Sequence, residues 1–282
     1  MELSSHDLKK LMIIPVILLV VSMIIVTTTA QKNAIPMGID LKGGTLITIY
    51  SPLEKEQIAT ALAPKFDDDL SIDTISDISG VVGYTVQLDA FLSVEEKENI
   101  QNSIIAMGVA KDAISIRDAQ ASISFKTLKE GVKAVFFALI FMAVVVFIRF
   151  RTFVPSFAVV ISAFSDIVIT LAIMILLGIP LTAGSLVALL LLIGYSVDTD
   201  ILLTTRVLVR KVGTFEKRLW RAMKTGLTMA ATTLSAIGIL YVASTSVVLK
   251  EIAIVILIGL VVDLMNTWIQ NARILQWHLE RG

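Results

Sequence analysis

The chain has no cysteine, so disulfides and thiolate metal sites are excluded, and the redox state of its surroundings leaves no mark on the sequence. Its two histidines, His6 and His278, lie isolated in the flanks, and no metal or other cofactor is expected. There is no Walker A sequence, no HExxH and no GxSxG, which argues against direct nucleotide use and the common membrane-protease chemistries. Nor is there any net charge: 24 basic and 24 acidic residues among 282 cancel. What fills the chain instead is apolar. Hydrophobic residues make up 56% of it, more than soluble domains carry.

The apolar residues come in runs. A helix needs roughly 20 residues to cross the hydrocarbon core, and six stretches reach or approach that length: 11–30, 131–148, 153–177, 181–204, 226–245 and 251–269. The first is too long for a signal peptide and no clear small-residue cleavage site follows, so it is expected to remain as a helix. Lys and Arg mark cytoplasmic loops. Lys9 and Lys10 precede the first run, Arg149 and Arg151 separate the second and third, seven basic residues from Arg206 to Lys224 separate the fourth and fifth, and Arg273 and Arg281 follow the sixth. The alternate loops are poor in such charges. The expectation is a polytopic α-helical protein of the cell membrane with six transmembrane helices and both termini cytoplasmic. Residues 1–30 form the N-terminus and first helix, 31–129 an extracytoplasmic domain, 130–270 the remaining helices and 271–282 a cytoplasmic tail.

Between the first two runs the pattern turns mixed. Thr45–Tyr50 reads as a β-branched strand, and Leu53–Leu62 has helical spacing. Ile72–Ile78 and Tyr84–Phe91 alternate on either side of a Ser79-Gly80 turn. Ser93 with Glu96 forms a capping box for a helix to Met107, closed by Gly108, and Ala113–Arg117 is a last strand. The order β-α-β-β-α-β is that of a ferredoxin-like α+β domain. It holds no nucleophile–base pair, so a structural or docking module is expected rather than an enzyme.

Acids interrupt the apolar runs at Asp166, Asp198, Asp200 and Asp263. A charged side chain at the bilayer centre costs several kcal/mol unless paired, neutral or hydrated. Ser162 and Thr170 flank Asp166 at four-residue spacing and share its face. Asp198 and Asp200, two apart on a helix, point in roughly opposite directions, so one is expected to face the bundle and the other a different helix or subunit. Thr225, Thr228, Thr232 and Ser235 form a polar stripe in the fifth run, and Gly259, Asp263, Asn266, Thr267 and Gln270 another in the sixth. A core of runs three to six with polar faces inward is expected. Such acids suit a proton relay or a cation site, with Arg206 and Lys224 as candidate counter-charges. The bland alternatives are that the stripes hold helices together and that the two basic residues anchor the topology.

These residues carry a resemblance. Gly38-Ile39-Asp40-Leu41-Lys42-Gly43-Gly44 looks like the G-[IL]-D-[LF]-x-G-G signature of the SecD/SecF family of protein-export membrane proteins. Ser165-Asp166-Ile167-Val168-Ile169-Thr170-Leu171 resembles the family's H-D-[VI]-x-[IL]-T-[LI] stretch. Gly194-Tyr195-Ser196-Val197-Asp198 resembles the GYS-[IV]-N-D-T stretch of its SecF branch, with the acid displaced by one position to either side at Asp198 and Asp200. Asp263-Leu264-Met265-Asn266-Thr267-Trp268 departs from the bacterial run and looks archaeal. The resemblance implies a member of the RND superfamily that pairs with SecD. It further implies preprotein translocation at a Sec translocon with SecY- and SecE-type subunits, coupled to a proton or ion gradient. Expected partners are therefore SecD, the translocon, the preprotein and membrane lipids, with no nucleic acid. Two other readings fit the intramembrane acids: an RND-type exporter of small hydrophobic molecules, and a non-transporting assembly factor.

Overall fold

The computed structural model describes residues 5–51, 53–62, 70–119, 121–209 and 212–281. A short polar helix, Ser5–Leu11 (α1), leads after Met12 into the apolar helix Ile13–Gln31 (α2). A single turn, Ile39–Lys42 (α3), leads into strand Gly44–Ile49 (β1). Helix Lys55–Leu62 (α4), strands Leu70–Asp77 (β2) and Gly80–Leu88 (β3), helix Val94–Ala106 (α5) and strand Ile114–Ala119 (β4) complete a small α+β unit. Then come the long helices Ala121–Phe150 (α6), Phe153–Leu176 (α7), Ala183–Thr204 (α8), Phe215–Ala243 (α9) and Val247–Met265 (α10), and finally Ala272–Arg281 (α11).

Among the described residues, five helices are long and apolar enough to cross a membrane: Leu8–Gln31, Lys126–Phe150, Phe153–Leu176, Ala183–Val209 and Phe215–Ala243. The sixth apolar stretch forms α10, whose 19 residues extend about 28 Å at ~1.5 Å per residue. Lys250, Glu251 and Asp263 interrupt its apolar character.

Burial sorts the helices. Half of the apolar window of α7 and of α8 is buried, against 11% for the rods of α2, α6 and α9. The centre is α7, α8 and α10, joined by Val159, Ala163, Leu189, Val255, Ile256 and Leu260. Helix α9 joins this core through Leu234 and Ile237, as expected, but the expectation that its polar face turns inward is corrected. Only its first half is well buried, at Leu219, Ala222, Met223, Gly226 and Ala230.

The sheet is antiparallel throughout, in the order β2-β3-β1-β4. Thr45, Ile47 and Ile49 alternate onto the face that meets Ile100 and Ile104 of α5. Ser93 caps α5 through the expected box: its hydroxyl accepts from Glu96 N while its own N–H donates to the Glu96 carboxylate at 2.8 Å. The opposite face, with Leu46, Thr85, Gln87 and Arg117, overlooks Thr182 at the start of α8 and Val247, Val248 and Glu251 of α10 across a gap of about 280 Å³.

Two glycines make the entry to β1. Gly43 and Gly44 have φ of 89° and 138°, backbone that side chains rarely tolerate. A Cβ on Gly44 would also run into the carbonyl of Leu88.

Candidate functional site

Three helices bring three carboxyl groups together in the bundle. Asp166 comes from α7, Asp200 from α8 and Asp263 from α10, and each is at most 1% exposed. Directly after α10 the chain makes a π-helical turn, Asn266–Asn271. Wider than an α-helical turn, it places Asn266, Thr267, Gln270 and Asn271 beside the acids, all buried.

The side-chain contacts fall into sets around the acids. Asp166 Oδ2 accepts from the Ser196 hydroxyl at 2.6 Å, and its Oδ1 from Asn266 Nδ2 at 2.7 Å. Asp200 Oδ1 accepts from Asn271 Nδ2 at 2.6 Å. Thr199 Oγ1 lies 3.1 Å from Asp263 Oδ2. Thr267 Oγ1 lies between two acids, 3.0 Å from Asp200 Oδ1 and 3.1 Å from Asp263 Oδ1. A hydroxyl has one hydrogen, so it donates to one of these oxygens and bonds the other only if that carboxyl is protonated. Asp200 and Asp263 thus share a single hydroxyl. Gln270 Nε2 donates to Ser165 Oγ at 3.2 Å and closes the layer.

Among the described residues, Asn266 Oδ1, Gln270 Oε1 and Asn271 Oδ1 are buried without a donor, and the hydroxyls of Thr170 and Thr204 are buried without a partner, while the Ser162 hydroxyl faces Asp200. The ion pairs of the described residues are Lys42–Asp89, Lys97–Asp118, Lys126–Glu130 and Arg273–Glu280, none of which touches the three acids. Buried carboxyls without basic partners are compensated by protons, cations or neutral hydrogen-bond donors.

The remaining site candidates lie elsewhere. Asp198 is exposed on the outer side of α8 and does not join the cluster. Ser162 and Thr170 are buried on the Asp166 face. Thr228 and Thr232 are exposed, and their hydroxyls return to the carbonyls of Lys224 and Met229 in their own helix. The expected inward placement of that stripe is therefore corrected; each hydroxyl is satisfied locally. Lys224 is exposed over the ring of Trp220 at 5.6 Å, and Arg206 lies half-buried on a second π-helical turn, Thr205–Val209. Neither is the counter-charge the sequence suggested.

Sequence reasoning missed Ser196, Thr199 and Asn271. Their spacing held a signal. Ser196 lies one turn before Asp200, and Asn271 lies one turn beyond Thr267, itself one turn beyond Asp263.

A buried acid cluster drawn from three apolar helices, beside a small α+β unit, defines a multi-pass membrane protein whose bundle holds ionisable groups. Residues 96–281 match the family described as protein export membrane protein SecD/SecF, C-terminal. The protein-export membrane protein SecF of Thermococcus gammatolerans is 41% identical over 86% of this chain and 78% of that protein. That of Pyrococcus furiosus is 38% identical over 99% and 94%. Among solved structures, the crystal structure of SecDF, a translocon-associated membrane protein from Thermus thermophilus, superposes with a TM-score of 0.77 at 20% identity. That match covers 98% of this chain, which spans only 38% of the SecDF chain. The chain belongs to the SecD/SecF family of protein-export membrane proteins.

Proposed function

We propose that this chain is the SecF-type subunit of a SecD–SecF pair that assists preprotein movement through a Sec translocon, and that its three-carboxyl cluster responds to a proton or cation gradient. Relatives named SecF over nearly the whole chain support the first half. The burial of Asp166, Asp200 and Asp263 together, with no basic partner among the described residues, carries the second. The role is binding and movement, with no covalent chemistry.

In this reading α10 is the sixth membrane span and both termini are cytoplasmic, as the Lys/Arg distribution favours. Residues between α2 and α6 lie outside the cytoplasm. Their β1-α4-β2-β3-α5-β4 order and β2-β3-β1-β4 sheet fit a ferredoxin-like module. A partner subunit is supported by the outer stripe of α8. Val187, Leu191, Gly194 and Asp198 are all exposed there, and a carboxylate facing lipid costs about 3 kcal/mol. A second set of helices would cover it.

The test is export in a host lacking its own copy, complemented with Asp166→Asn, Asp200→Asn and Asp263→Asn at matched abundance. Loss of gradient-stimulated export with the SecD complex still assembled is expected from at least Asp166→Asn and Asp200→Asn. Full export from all three would remove the coupling role.

A further inference from the structure

The segment between α2 and β1 does more than enter a sheet. Its backbone pairs with the loop that starts α8: Gly38 N donates to Leu181 O at 2.9 Å, and Leu181 N to Pro36 O at 2.8 Å. The Asp40 carboxylate then reaches across 143 positions of sequence to accept from Ala183 N at 2.7 Å. Ala183 is the first residue of α8, where helix N–H groups lack intrahelical acceptors and the helix dipole favours negative charge. Thr182 already caps this helix by its hydroxyl, which accepts from Ser185 N at 3.0 Å. Asp40 therefore adds a second cap supplied from outside the helix. The same Thr182 hydroxyl bonds the Glu251 carboxylate of α10 at 2.8 Å. Gly38 permits the approach, since a Cβ there would lie 2.7 Å from Thr182 Cγ2 and 2.8 Å from Asp40 Oδ1.

Both helices held at this seam continue to the acid cluster. Ala183 and Asp200 share α8, about 26 Å apart, and Glu251 and Asp263 share α10, about 18 Å apart, at ~1.5 Å per residue. A second tie comes from α10, whose Lys250 Nζ donates to Ser76 O at the far end of β2; between the two ties the sheet and these helix ends face each other across the gap lined by Leu46, Thr85, Gln87 and Val248. A sheet facing a gap has room to tilt; a sheet clasped to a helix end follows that helix.

We propose that Asp40 is a positioning residue. As a second N-cap of α8 it clasps the outer module to the helix that carries Asp200, so that displacement of α8 is transmitted to the sheet. Its consequence for export rests on the reading of the acid cluster given above; the clasp itself does not.

The test uses the full chain in lipid vesicles, with spin labels on Lys111→Cys in the outer module and Leu177→Cys at the end of α7, both exposed sites in a chain free of other cysteines. The parent and the control Asp112→Ala are expected to give one narrow distance distribution. Asp40→Ala is expected to broaden it or add a second population. Asp40→Asn, which keeps an acceptor oxygen, is expected to restore the narrow form. An Asp40→Ala distribution as narrow as the parent's overturns the proposal. So does a general loss of amide protection across β1–β4 in Asp40→Ala, because it would assign Asp40 to the stability of the sheet. No step of this measurement involves export. A narrow Asp40→Ala distribution thus condemns the clasp alone, and full export from Asp166→Asn, Asp200→Asn and Asp263→Asn condemns the coupling alone.

Discussion

Thr45 shows how one hydroxyl can organise a strand's entry. Fully buried on β1, it lies 3.0 Å from Ala90 O and 2.9 Å from Asp118 Oδ1, and accepts from Leu92 N at 3.3 Å. Thr45→Val keeps the shape but leaves those groups short of a partner. A loss of about 1–3 kcal/mol is expected, read as a lowered denaturation midpoint of the outer module. Asp118 bears a second relation. The hydrogen bond from Lys97 holds its carboxyl below the usual carboxylate value, outweighing the smaller opposing effect of burial. A depressed folded value means that this pairing stabilises above the unfolded value near ~4 and is lost as pH falls through the folded one. Lys97→Gln is therefore expected to lower stability at neutral pH and to converge with the parent under acid. Equal deficits at pH 7 and pH 2 in acid-denaturation curves would contradict this.

At the scale of elements, the π-helical turn after α10 packs against α9 through one close approach. A Cβ on Gly226 would overlap the indole ring of Trp268, which lies in that turn. Gly226→Val is expected to cost about 1–3 kcal/mol by overpacking and to disturb the Asn266, Thr267 and Asn271 contacts to the acids. By contrast, Thr228→Val with Thr232→Val should leave the isolated subunit within about 0.5 kcal/mol of the parent, because those hydroxyls bond only their own helix. Thermal unfolding in detergent reads both. The contrast also shows what the sequence made legible. Alternation and the Ser93–Glu96 box gave the strand and helix order because those signals are local. The direction of a polar stripe is not local. On α9, threonines satisfy themselves by bonding back along the helix, so polarity did not mark the inward face. Asp263 on α10 and Asn266 in the turn that follows it have no such option and are buried together. The π turn was not legible, since its effect is to change the period on which the reading relies.

At the scale of the molecule, the chain is asymmetric about its central helix. One side of α8 meets the carboxyl cluster. The other shows Val187, Leu191, Gly194 and Asp198. Among the described residues, a Cβ on Gly194 would meet nothing within 4 Å. Small residues let helices approach closely in membranes, and glycine in a helix interior is otherwise about 1 kcal/mol worse than alanine. Gly194 thus has no use in the subunit alone that would offset its cost, and an evident one if another helix lies across it beside Asp198. Gly194→Leu separates the two cases. In the isolated subunit the new side chain has open space, so thermal stability should hold or rise slightly. Under a close helix contact the same side chain should reduce SecD recovered by affinity purification at least tenfold, a change of about 1.4 kcal/mol. Undiminished recovery of SecD with Gly194→Leu would move the partner surface away from this face of α8 and leave the exposed Asp198 to be explained by another element.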